Sequence, residues 1–182
     1  MTKDEPYFFH QTPELLCKEL IKHIPDYNPS DTFFEPFAGE GAFIRAFPQE
    51  ATILKTELQD GTDYTTINLE DTHVDWIITN PPFRLESSDG KRINSFYKLA
   101  DEFAGKTKKG FAFLGNDYCL SALTPTRLKK LKAKGVYIYK IVVCSVKKWR
   151  GRYFFIIFKN INPICEKVDE RIDFYSYLEG TF

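Results

Sequence analysis

No run in the 182 residues approaches 18 consecutive apolar side chains, so no segment is expected to cross a membrane as a helix. The first residues, MTKDEPYFF, are acidic and carry no long apolar stretch, and they do not read as a signal peptide. The four cysteines, Cys17, Cys119, Cys144 and Cys165, are too widely spaced for a zinc knuckle or a C-x-x-C redox pair. They read as reduced, mostly buried thiols of a cytoplasmic or nucleoid-associated protein. No metal site is expected. There is no internal repeat and no low-complexity linker. The length suits a single domain, with no separate recognition domain over residues 1–182.

Net charge is zero, yet the two signs are segregated. Residues 1–105 hold 9 Lys and Arg against 19 Asp and Glu, and residues 106–182 hold 16 against 6. Basic runs recur at 106–109 (KTKK), 127–134 (RLKKLKAK) and 147–152 (KKWRGR). A single Lys-rich helix is ordinarily a solvated face. Three basic runs interleaved with Trp149 and Tyr153 raise the prospect of a polyanionic partner. Aromatics reach 16%, which serves either a Phe-rich core or a stacking surface for flat ligands.

The patterning alternates strand and helix. TPELLCKELIKHI (12–24) is expected to be helical, with Thr12 as N-cap and Pro13 in the first turn. Strands are expected over 31–37, 52–58, 74–80 and 110–115, and helices over 39–47, 94–104 and 124–135. VYIYKIVVCSV (136–146) and RYFFIIFKN (152–160) read as strands joined by a KKWRG hairpin. The tail, 171–179, fits either an edge strand or a short helix. The expected fold class is α/β: a doubly wound, mostly parallel seven-stranded sheet with helices on both faces and a C-terminal antiparallel hairpin.

Two stretches carry chemistry. FFEPFAGEGAF (33–43) is a strand, an acid and then Gly39-x-Gly41. The third small residue of a dinucleotide fingerprint is replaced by Ile44. Glu35 before the turn would repel a pyrophosphate and suit a cation, which favours S-adenosylmethionine over NAD. As a tight turn alone, the pair of glycines needs no ligand. Glu57, at the end of the next strand, is placed to accept ribose hydroxyls, or is an ordinary charged strand end. Asp63 is placed to accept from an adenine amino group, or forms an Asx turn. The second stretch, VDWIITNPPF (74–83), runs a buried strand into two prolines that cannot continue a central ladder.

EPFAGEGAF followed by TNPPF resembles the class I S-adenosylmethionine-dependent methyltransferases, and Asn80-Pro81-Pro82-Phe83 resembles the tetrad of their amino-methylating, adenine-N6 branch. HQTPELL is similar to that branch's segment preceding the glycine turn. The resemblance implies a cofactor site built from Gln11, Thr12, Pro13, Glu35, Phe37, Gly39, Gly41, Glu57, Leu58, Asp63, Tyr64 and Asn80. It also implies that the Asn80 side-chain oxygen and the Pro81 carbonyl accept the N–H groups of an aromatic amine. Pro82 stiffens the turn, and Phe83 stacks on the base. The implied reaction is direct in-line methyl transfer to adenine N6 in DNA, with the base flipped out of the duplex. Lys147, Lys148, Trp149, Arg150, Arg152 and Tyr153 of the hairpin are the expected substrate contacts. The partner is nucleic acid, DNA ahead of RNA. Two departures stand out: only five residues separate Glu57 from Asp63, where many relatives fit a helix, and a recognition domain has no room. The hairpin, a protein partner or a second copy must then read the target. The rival readings are an RNA adenine-N6 enzyme, a protein-glutamine N5 enzyme and a binding subunit of a larger methyltransferase.

Overall fold

The run ahead of the two prolines is a strand, β3 (Trp76–Thr79), and all four of its residues are buried. Burial on both faces explains its unbroken apolarity, because a central strand covered by helices on each side has no polar face to show. The computed structural model describes residues 12–86, 90–146, 149, 151–160 and the backbone of 171–177. Gln11, Lys147, Lys148 and Arg150 lie outside the described residues.

Helix α1 (Glu14–Ile21) precedes β1 (Thr32–Glu35) and β2 (Thr52–Lys55). A four-residue helix, α2 (Leu69–Thr72), leads into β3. After the Asn-Pro-Pro-Phe turn, β4 (Arg84–Glu86) and β5 (Arg92–Asn94) form a separate antiparallel ribbon. Then follow α3 (Ser95–Phe103), β6 (Gly110–Asn116), α4 (Asp117–Ala122), α5 (Pro125–Ala133), β7 (Val136–Val146), β8 (Tyr153–Asn160) and β9 (Arg171–Tyr177). The main sheet has seven strands in the order β2-β1-β3-β6-β8-β7-β9. Strand β8 is antiparallel to both its neighbours; every other pairing is parallel. The expected doubly wound sheet with its antiparallel hairpin is therefore the observed one, and the tail is the edge strand of the two alternatives.

The sheet divides the core in two. On one face Phe33, Trp76, Ile78, Leu114 and Phe155 pack against Leu16, Cys17, Leu20 and Ile21 of α1. On the other, Phe34, Ile77, Phe111, Phe113 and Phe158 pack against Phe96, Leu99 and Phe103 of α3 and Leu131 of α5. Most of the Phe-rich composition is spent here. Phe111 and Phe158, paired across β6 and β8, stack at 4.7 Å between ring centroids. Burying each such ring is worth about 1.5–3 kcal/mol. Burial pushes the thiols of Cys119 and Cys144 up to about 12, so both stay protonated at neutral pH.

Local signals placed several elements correctly. Asn94 caps α3 by accepting from the Phe96 N–H, and Thr124 caps α5 ahead of Pro125. Two expectations are corrected. The helix over 39–47 is reduced to one 3-10 turn, Ile44–Ala46. Gly39 and Gly41 both take positive φ, which no helix allows, and Phe47 is extended because it precedes Pro48. Thr12 does not cap α1; the N-cap position is Pro13, with no side-chain bond.

The segregated charges meet across the fold. Lys109 donates to Asp31 at 2.7 Å, Lys159 to Asp26 at 2.7 Å and Lys134 to Asp101 at 2.6 Å. Arg127 lies over the Tyr97 ring at 4.6 Å and donates to the Ala122 carbonyl. Part of the basic half is thus internal complement to the acidic half.

Candidate functional site

The chain leaves β1 for β2 on one side and later returns to lay β3 on the other. The order reverses between β1 and β3, and in open α/β sheets ligands bind in the crevice beyond the carboxyl ends at such a point. The glycine turn follows β1 there, and the Asn80 turn follows β3.

The glycine turn is built around Gly41, whose φ of +80° disfavours any residue with a Cβ. A Cβ at Gly39 would meet nothing within 4 Å, whereas one at Gly41 would reach the Arg45 guanidinium at 3.4 Å. Arg45 also donates to the Glu40 carbonyl and pairs with Glu14, fastening the turn to α1. On the other side, the Glu57 carboxylate accepts the Gly39 N–H at 2.6 Å and the Gln59 N–H at 3.1 Å. These bonds tie the first two loops of the crevice together.

Glu35, 1% exposed, ends β1 beneath the turn. Burial drives its carboxyl pKa well above the usual range, and the Glu57 charge adds to that. The Thr79 hydroxyl beside it, which makes no well-formed hydrogen bond, and the Phe37 N–H, donating at 3.2 Å, offset only part of it. The folded state therefore holds a proton that the unfolded chain releases near pH 4.5. Stability should fall as pH rises from that value towards the folded-state pKa, then level off. Glu35→Gln removes the ionisable group. The variant is expected to unfold at higher urea concentration than the wild type at neutral pH, and the gap should close at about pH 4. Urea midpoints measured across that range check the sign.

A cavity of about 480 Å3 opens beside these loops. Leu58 and Leu85 give it apolar walls; Asp63, Glu86 and Lys98 are polar at its margin. Asp63 is already engaged: its carboxylate accepts from the Thr65 hydroxyl and N–H, which holds its pKa below the usual range. The Asx-type turn foreseen as one of its two readings is formed. The five residues between Glu57 and Asp63 hold a 3-10 turn, Leu58–Asp60, in place of a helix. Tyr64 leans on Phe37 at 5.1 Å and donates to Glu102, while Lys98 donates to the Tyr64 hydroxyl. Leu85, Glu86 and Lys98 were not singled out from sequence. Leu85 and Glu86 belong to a three-residue strand too short to show a pattern, and Lys98 looks like any helix lysine.

The Asn-Pro-Pro-Phe turn is clamped from two sides. The Asn80 amide donates to the Thr12 hydroxyl at 3.1 Å. Ser95, at the start of α3 and fully buried, donates its hydroxyl to the Pro82 carbonyl and its N–H to the Phe83 carbonyl. Among the described residues nothing donates to the Asn80 side-chain oxygen or to the Pro81 carbonyl. Phe83 is 40% exposed and rests against Phe96 at 6.4 Å between centroids. Phe96 in turn lies on Gly115, where a Cβ would come within 2.3 Å of the ring.

Trp149 and Tyr153 are corrected as stacking candidates. Their rings pack on each other at 4.2 Å, and both belong to the core beneath the sheet, 7% and 5% exposed. Neither has a free face for a base. Among the described residues the exposed aromatic side chains are Phe83 and Tyr118. Tyr118 follows β6 at the same edge, and its carbonyl accepts from Asn94, next to Ser95. Arg152 is exposed at the end of the hairpin.

No protein-family model matches the chain, and no curated protein matches it. Solved structures do. One from Listeria monocytogenes, provisionally named a class I S-adenosylmethionine-dependent methyltransferase, superposes with a TM-score of 0.63 at 12% identity, over 96% of this chain and 68% of that one. The modification subunit of a provisionally named type I restriction enzyme from Vibrio vulnificus gives 0.59 at 15%, over 94% of this chain and 48% of the subunit. An E. cuniculi complex that methylates a translation termination factor gives 0.52 at 15%, over 83% and 97%. This chain therefore spans about half the length of the Vibrio subunit. The chain has the class I S-adenosylmethionine-dependent methyltransferase fold.

Proposed function

We propose that this protein transfers a methyl group from S-adenosylmethionine to the N6 amino group of adenine in DNA. The observation that carries the reading is the use of hydrogen-bonding groups in the Asn80 turn. Thr12 takes the Asn80 amide N–H, and Ser95 takes the Pro82 and Phe83 carbonyls. Among the described residues, the acceptors of this turn that receive no donor include the Asn80 side-chain oxygen and the Pro81 carbonyl, a pair able to take the two N–H groups of an exocyclic amine.

The crevice suits the cofactor by charge. The cavity of about 480 Å3 beside Leu58, Asp63 and Tyr64 would take only the adenine end, since the glycine turn and Asn80 lie outside its lining. Glu57 beside the glycine turn favours a cation over a pyrophosphate, while Glu35, buried and protonated beneath the turn, adds no charge of its own. When bound, S-adenosylmethionine supplies an electrophilic methyl group. Glu57 and Asp63 would hold its ribose and adenine, and Gly41 lets its methionine end approach the backbone. Asn80 and Pro81 localise the lone pair of the aromatic amine by accepting its two N–H groups, and so aim the nitrogen. Phe83 offers a flat face to the base and excludes water. The work is positioning and hydrogen-bond preorganisation.

A second reading, methylation of a protein amide, is favoured by one observation. Lys108, Lys109, Lys134 and Lys159 are in ion pairs within the chain, so they need no polyanion. Salt dependence separates the two readings. If the substrate is duplex DNA, each phosphate neutralised adds about 0.9 to the slope of log affinity against log salt. Lys147→Glu with Lys148→Glu, in the hairpin between β7 and β8, is expected to flatten that slope and weaken binding to all sequences alike. Lys129→Glu with Lys132→Glu, on α5 over one face of the sheet, should do less. Wild-type binding without salt dependence for any nucleic acid would put the protein substrate first.

A further inference from the structure

We infer that Thr12 is a positioning residue for Asn80, accepting its amide NH2 when the substrate amine occupies the Asn80 oxygen; the inference rests on the methyl-transfer reading above. A side-chain amide is an acceptor at one end and a donor at the other. Rotated by half a turn, Asn80 would present its NH2 to the amine, donor against donor. The structure puts the NH2 against the Thr12 hydroxyl at 3.1 Å. That hydroxyl is spare, because the N-cap position of α1 is Pro13 and carries no side-chain bond. Both residues are only half-buried, so the bond forms at the edge of the crevice.

The geometry gives Thr12 work in the reacting state. Once the two N–H groups of the amine occupy the Asn80 oxygen and the Pro81 carbonyl, the amide cannot turn, and its NH2 must face residue 12. There it needs an acceptor. With valine in place of Thr12 the shape is kept, but a donor is left without a partner at the moment the amine is held. The same residue lies within HQTPELL, the segment whose resemblance places it in the implied cofactor site. Thr12 thereby links the cofactor side of the crevice to the catalytic turn across 68 positions of sequence.

Thr12→Val and Thr12→Ser, measured beside the wild type, test this. Thr12→Val is expected to lose about tenfold or more in single-turnover rate at saturating cofactor, the scale of an unsatisfied donor. Because Thr12 also belongs to the implied cofactor site, the variant's S-adenosylmethionine affinity is measured separately by calorimetry, and the rate is read only at saturating cofactor. Thr12→Ser should restore most of the rate. Thermal unfolding of Thr12→Val, Asn80→Ala and the double variant, with no substrate present, should be non-additive. If Thr12→Val loses cofactor affinity and keeps its saturated rate, Thr12 serves the cofactor and the inference is overturned while the methyl-transfer reading stands. Additive unfolding shifts with a full rate overturn it equally. A wild type inactive on DNA, RNA and protein overturns the methyl-transfer reading, and this inference with it.

Discussion

Asn80→Ala is expected to slow methyl transfer by about 100-fold or more while leaving cofactor affinity within a few-fold. The alanine removes one of the two acceptors that hold the amine, and it removes it where preorganisation counts most. The Pro81 carbonyl remains, so the amine is still tethered by one N–H but no longer aimed. The variant should fold normally. Asn80 is half-buried at a turn, its amide bonds a single hydroxyl, and the prolines that shape the turn are untouched. Single-turnover kinetics at saturating S-adenosylmethionine, paired with calorimetry, separate chemistry from binding. Near-normal turnover in this variant would remove Asn80 from the mechanism.

Gly41→Val is expected to abolish measurable S-adenosylmethionine binding. The cause is local: a φ of +80° is open to glycine and strained for a β-branched residue, and the added carbons would meet the Arg45 guanidinium. Holding a non-glycine residue in that region costs on the order of 1–3 kcal/mol, enough to reshape a turn fastened only by surface bonds. The sheet and its two cores lie below the turn, so the thermal transition should survive with a modest downward shift. Calorimetric titration of a folded Gly41→Val protein reads the effect directly. Unchanged affinity would contradict the placing of the methionine end at this turn.

Much of the fold was legible because its signals are local. Strand β3 announced itself as an apolar run stopped by two prolines, and α5 as Thr124-Pro125 followed by a lysine-rich face and Gly135. The helix after the glycine turn was misread because two glycines and a later proline each restrict it, and together they leave room for a single 3-10 turn. The ribbon β4–β5 leaves no trace in the sequence, since three-residue strands carry no period. The site shows the same division. The Asn80 tetrad and the glycine turn could be named from their residues alone. The bonds that complete them could not: Glu57 reaches Gly39 over 18 positions, Ser95 reaches Pro82 over 13 and Thr12 reaches Asn80 over 68. The burial of Trp149 and Tyr153 was also beyond the sequence, because an aromatic beside basic residues reads as a stacking surface or as core with equal ease.

The most direct test is to identify the methylated product. The protein is incubated with isotopically labelled S-adenosylmethionine and, separately, duplex DNA, RNA and a protein extract, and each is digested and resolved by mass spectrometry. The account predicts label in N6-methyl-2′-deoxyadenosine from the DNA, lost in Asn80→Ala. Label confined to a protein amide or to RNA, with none in DNA, would contradict it.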